Sequence, residues 1–257
     1  MILFHRHFGE GSPVMILHGL FGQCDNWVTV AKMLGEKHHS VFCVDLRNHG
    51  HSPHDSVFNY DAMAEDLAET ILDLRIHKKV HLIGHSMGGK AAMFFAQQFP
   101  ELLKSILIAD IGPRFYPTHH QEVISGLKAV NLSDITSRSD AESAMEKFIK
   151  DQSVRQFLLK NLYRTDENQF AWRFNLEVIS DQIEEVGKAI PEGIVDIPAL
   201  FYHGSASNYV LSDEYPVIMQ QFISAEFRQM NGAGHWLHAE QPTVFVETAD
   251  HWLRRYE

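Results

Sequence analysis

Ser86 stands in the run Gly84-His85-Ser86-Met87-Gly88, a G-x-S-x-G pattern with an apolar stretch, Val80 to Ile83, before it and a helical pattern after it. A strand that turns sharply into a helix forces strained angles on the residue at the corner, and flanking glycines let neighbouring chain pass close by. The turn lifts the hydroxyl to the end of the strand. A serine is a weak nucleophile, so it needs a histidine to take its proton and an acid to orient that histidine and stabilise its charged form. The chemistry such a set offers is acyl transfer through a covalent intermediate.

His235 is the expected base, because Gly232-Ala233-Gly234-His235-Trp236 is a glycine-rich loop after the last expected strand and can reach back over a sheet. His238 is the alternative, with a loop-stabilising hydrogen bond as its other reading; His251, in the terminal helix, reads as structural. With the serine on such a strand-to-helix corner, the chain order expected is Ser, acid, His. The acid often follows the penultimate strand in a G-x-x-D-x-x-V segment, but here that run is Gly204-Ser205-Ala206-Ser207-Asn208-Tyr209-Val210. Ser207 occupies the acid's place, and Asn208 carries no charge. Asp110, at the end of the apolar run Ile106 to Ala109, emerges on the same sheet edge as Ser86 and is the candidate acid. Its other reading is a helix N-cap or turn residue; Asp196 and Asp213 are the reserves. Two backbone donors should face the oxyanion, each worth about 3 kcal/mol. One is the Met87 N–H, and the other comes from the turn His18-Gly19-Leu20-Phe21-Gly22, with Leu20 first and Phe21 next. His18 itself reads as structural.

These residues need a frame. Val14 to Leu17, Val41 to Val44, Val80 to Ile83, Ile106 to Ala109 and Ala199 to Tyr202 have the length and composition of buried parallel strands. Between them, Trp27, Val30, Ala31 and Leu34, then Met63, Leu67, Ile71 and Leu74, then Ala91, Ala92, Phe94, Phe95 and Phe99 recur at helical spacing, and Pro100 ends the third helix. Alternation of strand and helix implies an α/β fold, a mostly parallel sheet flanked by helices. From Ile111 to Ile194 the rhythm stops. Helical patches remain at Ala141 to Lys150, Val154 to Leu162 and Asn175 to Val186, with no convincing strand. A helix near Tyr215 to Phe222, a strand near Glu226 to Met230 and a helix from Thr243 to Arg255 complete the sheet pattern. The expected organisation is a core of residues 1–110 and 195–257 and a helical cap of residues 111–194, inserted at the strand ends where open α/β sheets bind ligands.

The bulk numbers narrow the partners. At 257 residues, 45% hydrophobic and 21% charged, the chain can bury a sizeable core. A net charge of -11 argues against nucleic acid. No run approaches the roughly 18 apolar residues of a membrane span, which points to the cytoplasm. Cys24 and Cys43 suggest two reduced thiols. The 17 histidines include the pairs His5/His7, His38/His39 and His119/His120, but no cluster has metal-ligand spacing. No metal and no cofactor are expected, and the oligomeric state stays open.

Taken together, His18-Gly19, Asp45-Leu46-Arg47-Asn48-His49-Gly50-His51-Ser52, the Ser86 run and Gly234-His235-Trp236 resemble the α/β-hydrolase superfamily over nearly the whole chain. Within it, His18 to Gly22, Arg47 to Gly50, Gly88-Gly89-Lys90, Trp172-Arg173-Phe174-Asn175 and Gly232 to Trp236 resemble the YbfF-like bacterial esterases. That resemblance implies an acid after the family's sixth strand, where this chain has Asp110-Ile111-Gly112-Pro113, with the cap inserted there. It further implies a carboxylesterase acting on small-molecule acyl esters, with CoA thioesters as a further class. Phe21, Trp172, Arg173 and Trp236 are then candidates to bind substrate, although Trp172 and Phe174 read equally well as an aromatic pair packing the cap. Arg114, Lys160 and Arg173 offer cations for a CoA phosphate, though scattered cations are more often solvated. Carbon–carbon hydrolysis, lyase chemistry and acyl transfer use the same fold and triad, and a non-catalytic binding protein would keep the pocket without them.

Overall fold

The computed structural model describes residues 1–118 and 120–257; His119, one of the paired histidines, lies outside them. The chain runs through β1 (His5–Phe8), β2 (Ser12–Leu17), α1 (Val28–Gly35), β3 (His39–Val44), α2 (Tyr60–Asp73), β4 (Val80–His85), α3 (Met87–Gln98) and β5 (Leu103–Ala109). It continues through α4 (Gln121–Lys128), α5 (Arg138–Glu146), α6 (Gln152–Leu159), β6 (Leu162–Arg164), β7 (Phe170–Trp172) and α7 (Leu176–Asp181). It returns with β8 (Ala199–Gly204), α8 (Tyr215–Gln221), β9 (Ala225–Met230), α9 (Leu237–Glu240) and α10 (Pro242–Arg254).

Seven strands form one sheet in the order β1-β3-β2-β4-β5-β8-β9, parallel except for β1. Alternate residues of its central strands feed two cores. Met15, Leu17, Leu82, Ile106 and Ile108 pack with α2 and α3, whereas Val14, Ile16, Ile83, Leu107 and Ala109 pack with α1 and α10. Burial on both faces is why these strands read as unbroken apolar runs rather than as alternating ones. The fold is therefore the expected α/β arrangement, and the strand that ends at Ala109, sixth in the family's count, is the fifth of this chain.

Between β5 and β8, among the described residues, lie four α-helices, a 3-10 helix and an antiparallel hairpin, β6–β7, which pairs Leu162 with Trp172. The hairpin corrects the expectation of no strand in this segment. Its strands are three residues each, too short for a period of two to show. α5 starts before the expected Ala141, because Ser137 accepts from the Asp140 N–H and Asp140 returns the contact in a capping box, worth about 1 kcal/mol. β1 was also unforeseen, since His5-Arg6-His7-Phe8 is a polar edge strand.

The two chain crossings into and out of this segment run side by side. Ile190 N–H donates to Pro113 O, and Tyr116 N–H donates to Gly187 O, both at 2.8 Å. Lys90 of α3, wholly buried, grips both crossings through Pro113 O at 3.1 Å, Arg114 O at 2.5 Å and Lys188 O at 2.7 Å. Burial, with the Arg114 charge as a lesser cause, pulls the Lys90 pKa down to about 7. The three carbonyl oxygens oppose that shift, matching the three N–H donors of an ammonium. Among the described residues no helix is long and apolar enough to cross a membrane, and no group of His, Cys, Asp and Glu could hold a metal ion.

Candidate active site

The loops after β2, β3, β4, β5, β8 and β9 converge at one edge of the sheet. The strand order reverses between β2 and β4, and crevices form outside the strand ends at such a point. Ser86, between β4 and α3, has φ 52° and ψ -118°, a conformation that costs a non-glycine residue about 1–3 kcal/mol and persists only where its surroundings hold it. Here its N–H donates to Ala109 O at 3.1 Å and its carbonyl accepts the Lys90 N–H at 3.0 Å. The corner is tight enough that a Cβ at Gly84 would lie 2.2 Å from Gly88 O, and one at Gly88 would lie 2.5 Å from Leu17 O. The glycines on either side of Ser86 are thus dictated by close approach.

Asp110, fully buried and also left-handed at φ 54°, extends from β5 beside β8. Its Oδ2 accepts from His235 Nδ1 at 2.7 Å and from the Ser207 hydroxyl at 2.5 Å, while its Oδ1 accepts the Gly204 N–H at 3.0 Å. Ser207, at the position where an acid was expected, thus contacts the Asp110 carboxylate that stands one strand away. The bond to Asp110 places the His235 proton on Nδ1 and leaves Nε2 as the acceptor.

The rest of the histidine's setting was not read from the sequence. The Tyr209 ring stacks on His235 at 4.1 Å between centroids, and His85 Nε2–H donates to the His235 carbonyl at 2.8 Å. Burial pulls the His85 pKa well below its ordinary value and that of His238 to about 3. His238 lies flat on Trp27 at 3.9 Å; its Nδ1 is buried with no hydrogen-bond partner among the described residues, so ring stacking stands where a loop-stabilising hydrogen bond was expected. Of the reserve acids, Asp196 accepts from the Ser224 hydroxyl at 2.9 Å, and Asp213 faces a separate groove with Arg114 and Val217.

The turn after β2 is fixed by its own carbonyls. Gly19 O accepts from the Gly22 N–H at 2.9 Å and from His18 Nδ1 at 2.8 Å, while His18 Nε2 accepts the Leu46 N–H at 3.0 Å. In a trans peptide the N–H points opposite to the C=O, so the Leu20 N–H points away from those contacts. The Phe21 N–H is taken by His49 Nε2 at 3.1 Å, which leaves the Leu20 N–H as the one of the two without an acceptor among the described residues. Met87 is the first residue of α3, where an N–H has no partner within the helix.

Ser86 and His235 open onto a cavity of about 310 Å³. Phe21 and Trp236 line it, and its apolar far wall is Val123 of α4 with Val154, Phe157 and Leu158 of α6. Beyond Phe157 and Trp236 an outer bay of about 520 Å³ carries Gln152, Gln156 and Lys160. On the other side of Ser86 a chamber of about 20 Å³, room for roughly one water, lies against Met87, Ile111, Tyr116 and Val186. Trp172 and Arg173 are brought to none of these spaces. Trp172 is buried and stacks on Phe174 at 5.3 Å, the packing alternative, and the Arg173 guanidinium sits 4.3 Å over the Tyr163 ring. Arg114 pairs with Glu214 at 2.5 Å in the groove with Asp213, Lys160 lines the outer bay, and Arg173 lies over Tyr163, so the three cations line no common space.

The family model for the alpha/beta hydrolase fold matches residues 12–242. The sn-1-specific diacylglycerol lipase ABHD11 of Danio rerio is 41% identical over 249 residues, covering 93% of this chain and 78% of its own. Esterase YbfF of Escherichia coli strain K12 is 38% identical over 250 residues, covering 96% of this chain and 93% of its own. Among solved structures, one described as a marine microorganism esterase superposes with a TM-score of 0.93 at 38% identity, covering 98% of this chain and 99% of that one.

Proposed function

The chain belongs to the α/β-hydrolase family and is a carboxylic ester hydrolase; on that premise we propose that it works through Ser86, His235 and Asp110. His235 Nε2 takes the Ser86 proton as Oγ attacks the ester carbonyl carbon, and the Asp110 carboxylate stabilises the resulting imidazolium. The Leu20 and Met87 N–H groups face the oxyanion of the tetrahedral intermediate. Its collapse expels the alcohol, protonated by His235, and leaves an acyl group on Ser86. Water activated by the same histidine then attacks the acyl-enzyme and frees the acid and the serine. The observation that carries this reading is the buried Asp110 carboxylate, which accepts from His235 Nδ1 at 2.7 Å.

Residues 111–194 act as the cap, since α4 and α6 supply the apolar wall opposite Ser86. The substrate is a small-molecule acyl ester. Its apolar part suits the 310 Å³ cavity, and the outer bay with Lys160 suits a polar leaving group. A cytoplasmic setting agrees with Cys24 and Cys43, which are buried and unpaired. The test is fluorophosphonate labelling beside kcat/KM over p-nitrophenyl and CoA esters of increasing chain length. The expected result is one label on the intact protein, none on Ser86→Ala, and turnover abolished with it. Equal labelling of Ser86→Ala sinks the assignment.

A further inference from the structure

Phe21, next to the proposed oxyanion donor Leu20, is held in the left-handed region at φ 57°. A bulky residue keeps such a conformation only when several contacts over-determine it. Two buried side chains grip its backbone from opposite sides. His49 Nε2 accepts the Phe21 N–H at 3.1 Å, and Asn161 Nδ2 donates to Phe21 O at 2.8 Å. The Phe21 ring also meets Phe174 of the inserted segment at 4.9 Å.

The two grips come from different parts of the chain. His49 belongs to the loop after β3. Its Nδ1–H donates to Arg47 O at 2.9 Å, which leaves the lone pair on Nε2, and burial lowers its pKa to about 3, so the ring stays a neutral acceptor. Asn161 lies between α6 and β6, residues away from any motif, and is itself fixed: its N–H donates to Leu158 O at 3.0 Å and its carbonyl accepts the Arg173 N–H at 2.9 Å. Its Nδ2 donors are spent on the Phe21 and Leu158 carbonyls, its Oδ1 is buried with no partner among the described residues, and the side chain does not line the cavity at Ser86.

We propose that Asn161 is a positioning residue for catalysis, through which the docked cap holds the oxyanion turn in its working shape. The inserted segment then does more than wall the cavity. With Asn161 in place, the peptides on both sides of Phe21 are fixed, the second of them also through the Gly22 N–H on Gly19 O, and the adjacent Leu20 N–H keeps its direction; without it, the strained turn is free to relax. The inference rests on the Ser86 reading above and adds to it a specific dependence of the chemical step on the cap.

Asn161→Asp keeps the size of the side chain and removes its N–H donors, setting an oxygen against Phe21 O. A misaligned oxyanion donor costs on the order of a hundredfold in rate. The expected result on p-nitrophenyl butyrate is a kcat lower by about 30- to 100-fold with KM within threefold of wild type. A trifluoromethyl ketone, which adds to Ser86 Oγ and places an oxyanion in the same hole, should lose inhibition by the same factor. Where Asn161→Asp does not fold, Asn161→Ala is measured in its place, with a loss of about tenfold. A raised KM with kcat kept, ketone inhibition unchanged, or kinetics like wild type overturns the proposal. Absence of esterase activity in the wild type would instead break the Ser86 reading, so the two failures are distinguishable.

Discussion

The two walls of the cavity are built on opposite plans. On the sheet side, Phe21, Ser86 and Asp110 all sit in turns that follow parallel strands, with positive φ, each held there by neighbouring chain. On the cap side, Val123, Val154, Phe157 and Leu158 project from regular helices with no such strain. Strain has to be held by fixed surroundings, and fixed surroundings are what aligned donors and a charged pair require. Apolar walls require volume and little else. The sheet side is therefore expected to govern the rate of the chemical step, and the cap side the binding of the acyl chain.

Three substitutions can break or sharpen that contrast. Asp110→Asn frees His235 to take the wrong tautomer, and kcat on p-nitrophenyl butyrate should fall by about 10³- to 10⁴-fold while circular dichroism stays native. Near-normal turnover would return the acid to Asp196 or Asp213. Ser207→Ala removes a donor from a buried carboxylate, a bond to charge worth about 1.5–3 kcal/mol. Ten- to a hundredfold of kcat should go with it, seen in pre-steady-state acylation, and a loss confined to KM would place Ser207 on the wrong side of the contrast. Phe157→Ala opens the apolar wall and should raise KM for octanoate esters about fivefold with kcat retained, since partial loss of a buried aromatic is worth about 1 kcal/mol. A fall in kcat there would show that the cap side carries rate as well, beyond the one link drawn at Asn161.

What the sequence disclosed follows the same division. The sheet was legible because each of its central strands is buried on both faces, and Ser86 and His235 were legible because tight glycine-rich turns leave a local pattern. Asp110, the acid we propose, emerged from an absence, the missing carboxylate at Ser207, and the neighbouring positions of β5 and β8 explain why a carboxylate on either strand can reach the same histidine. The cap was opaque. Three-residue strands show no alternation, Phe157 reads like any amphipathic helix residue, and Asn161 meets Phe21 across 140 positions, a distance over which no periodicity speaks. Trp172 and Arg173, conspicuous in the sequence, turned out to serve the packing of the segment that carries them.

Lys90 joins positions far apart in sequence: it clasps Pro113, Arg114 and Lys188, so residues 115–187 form an excursion whose two ends meet at one ammonium. In polymer terms the cost of closing such a loop lies in bringing its ends together, and each doubling of its length adds only about 0.6 kcal/mol. The neck is thus the costly part and the length nearly free. A chain built this way can lengthen, shorten or refashion the excursion while the sheet below keeps its stability, provided that the clasp at its neck is preserved.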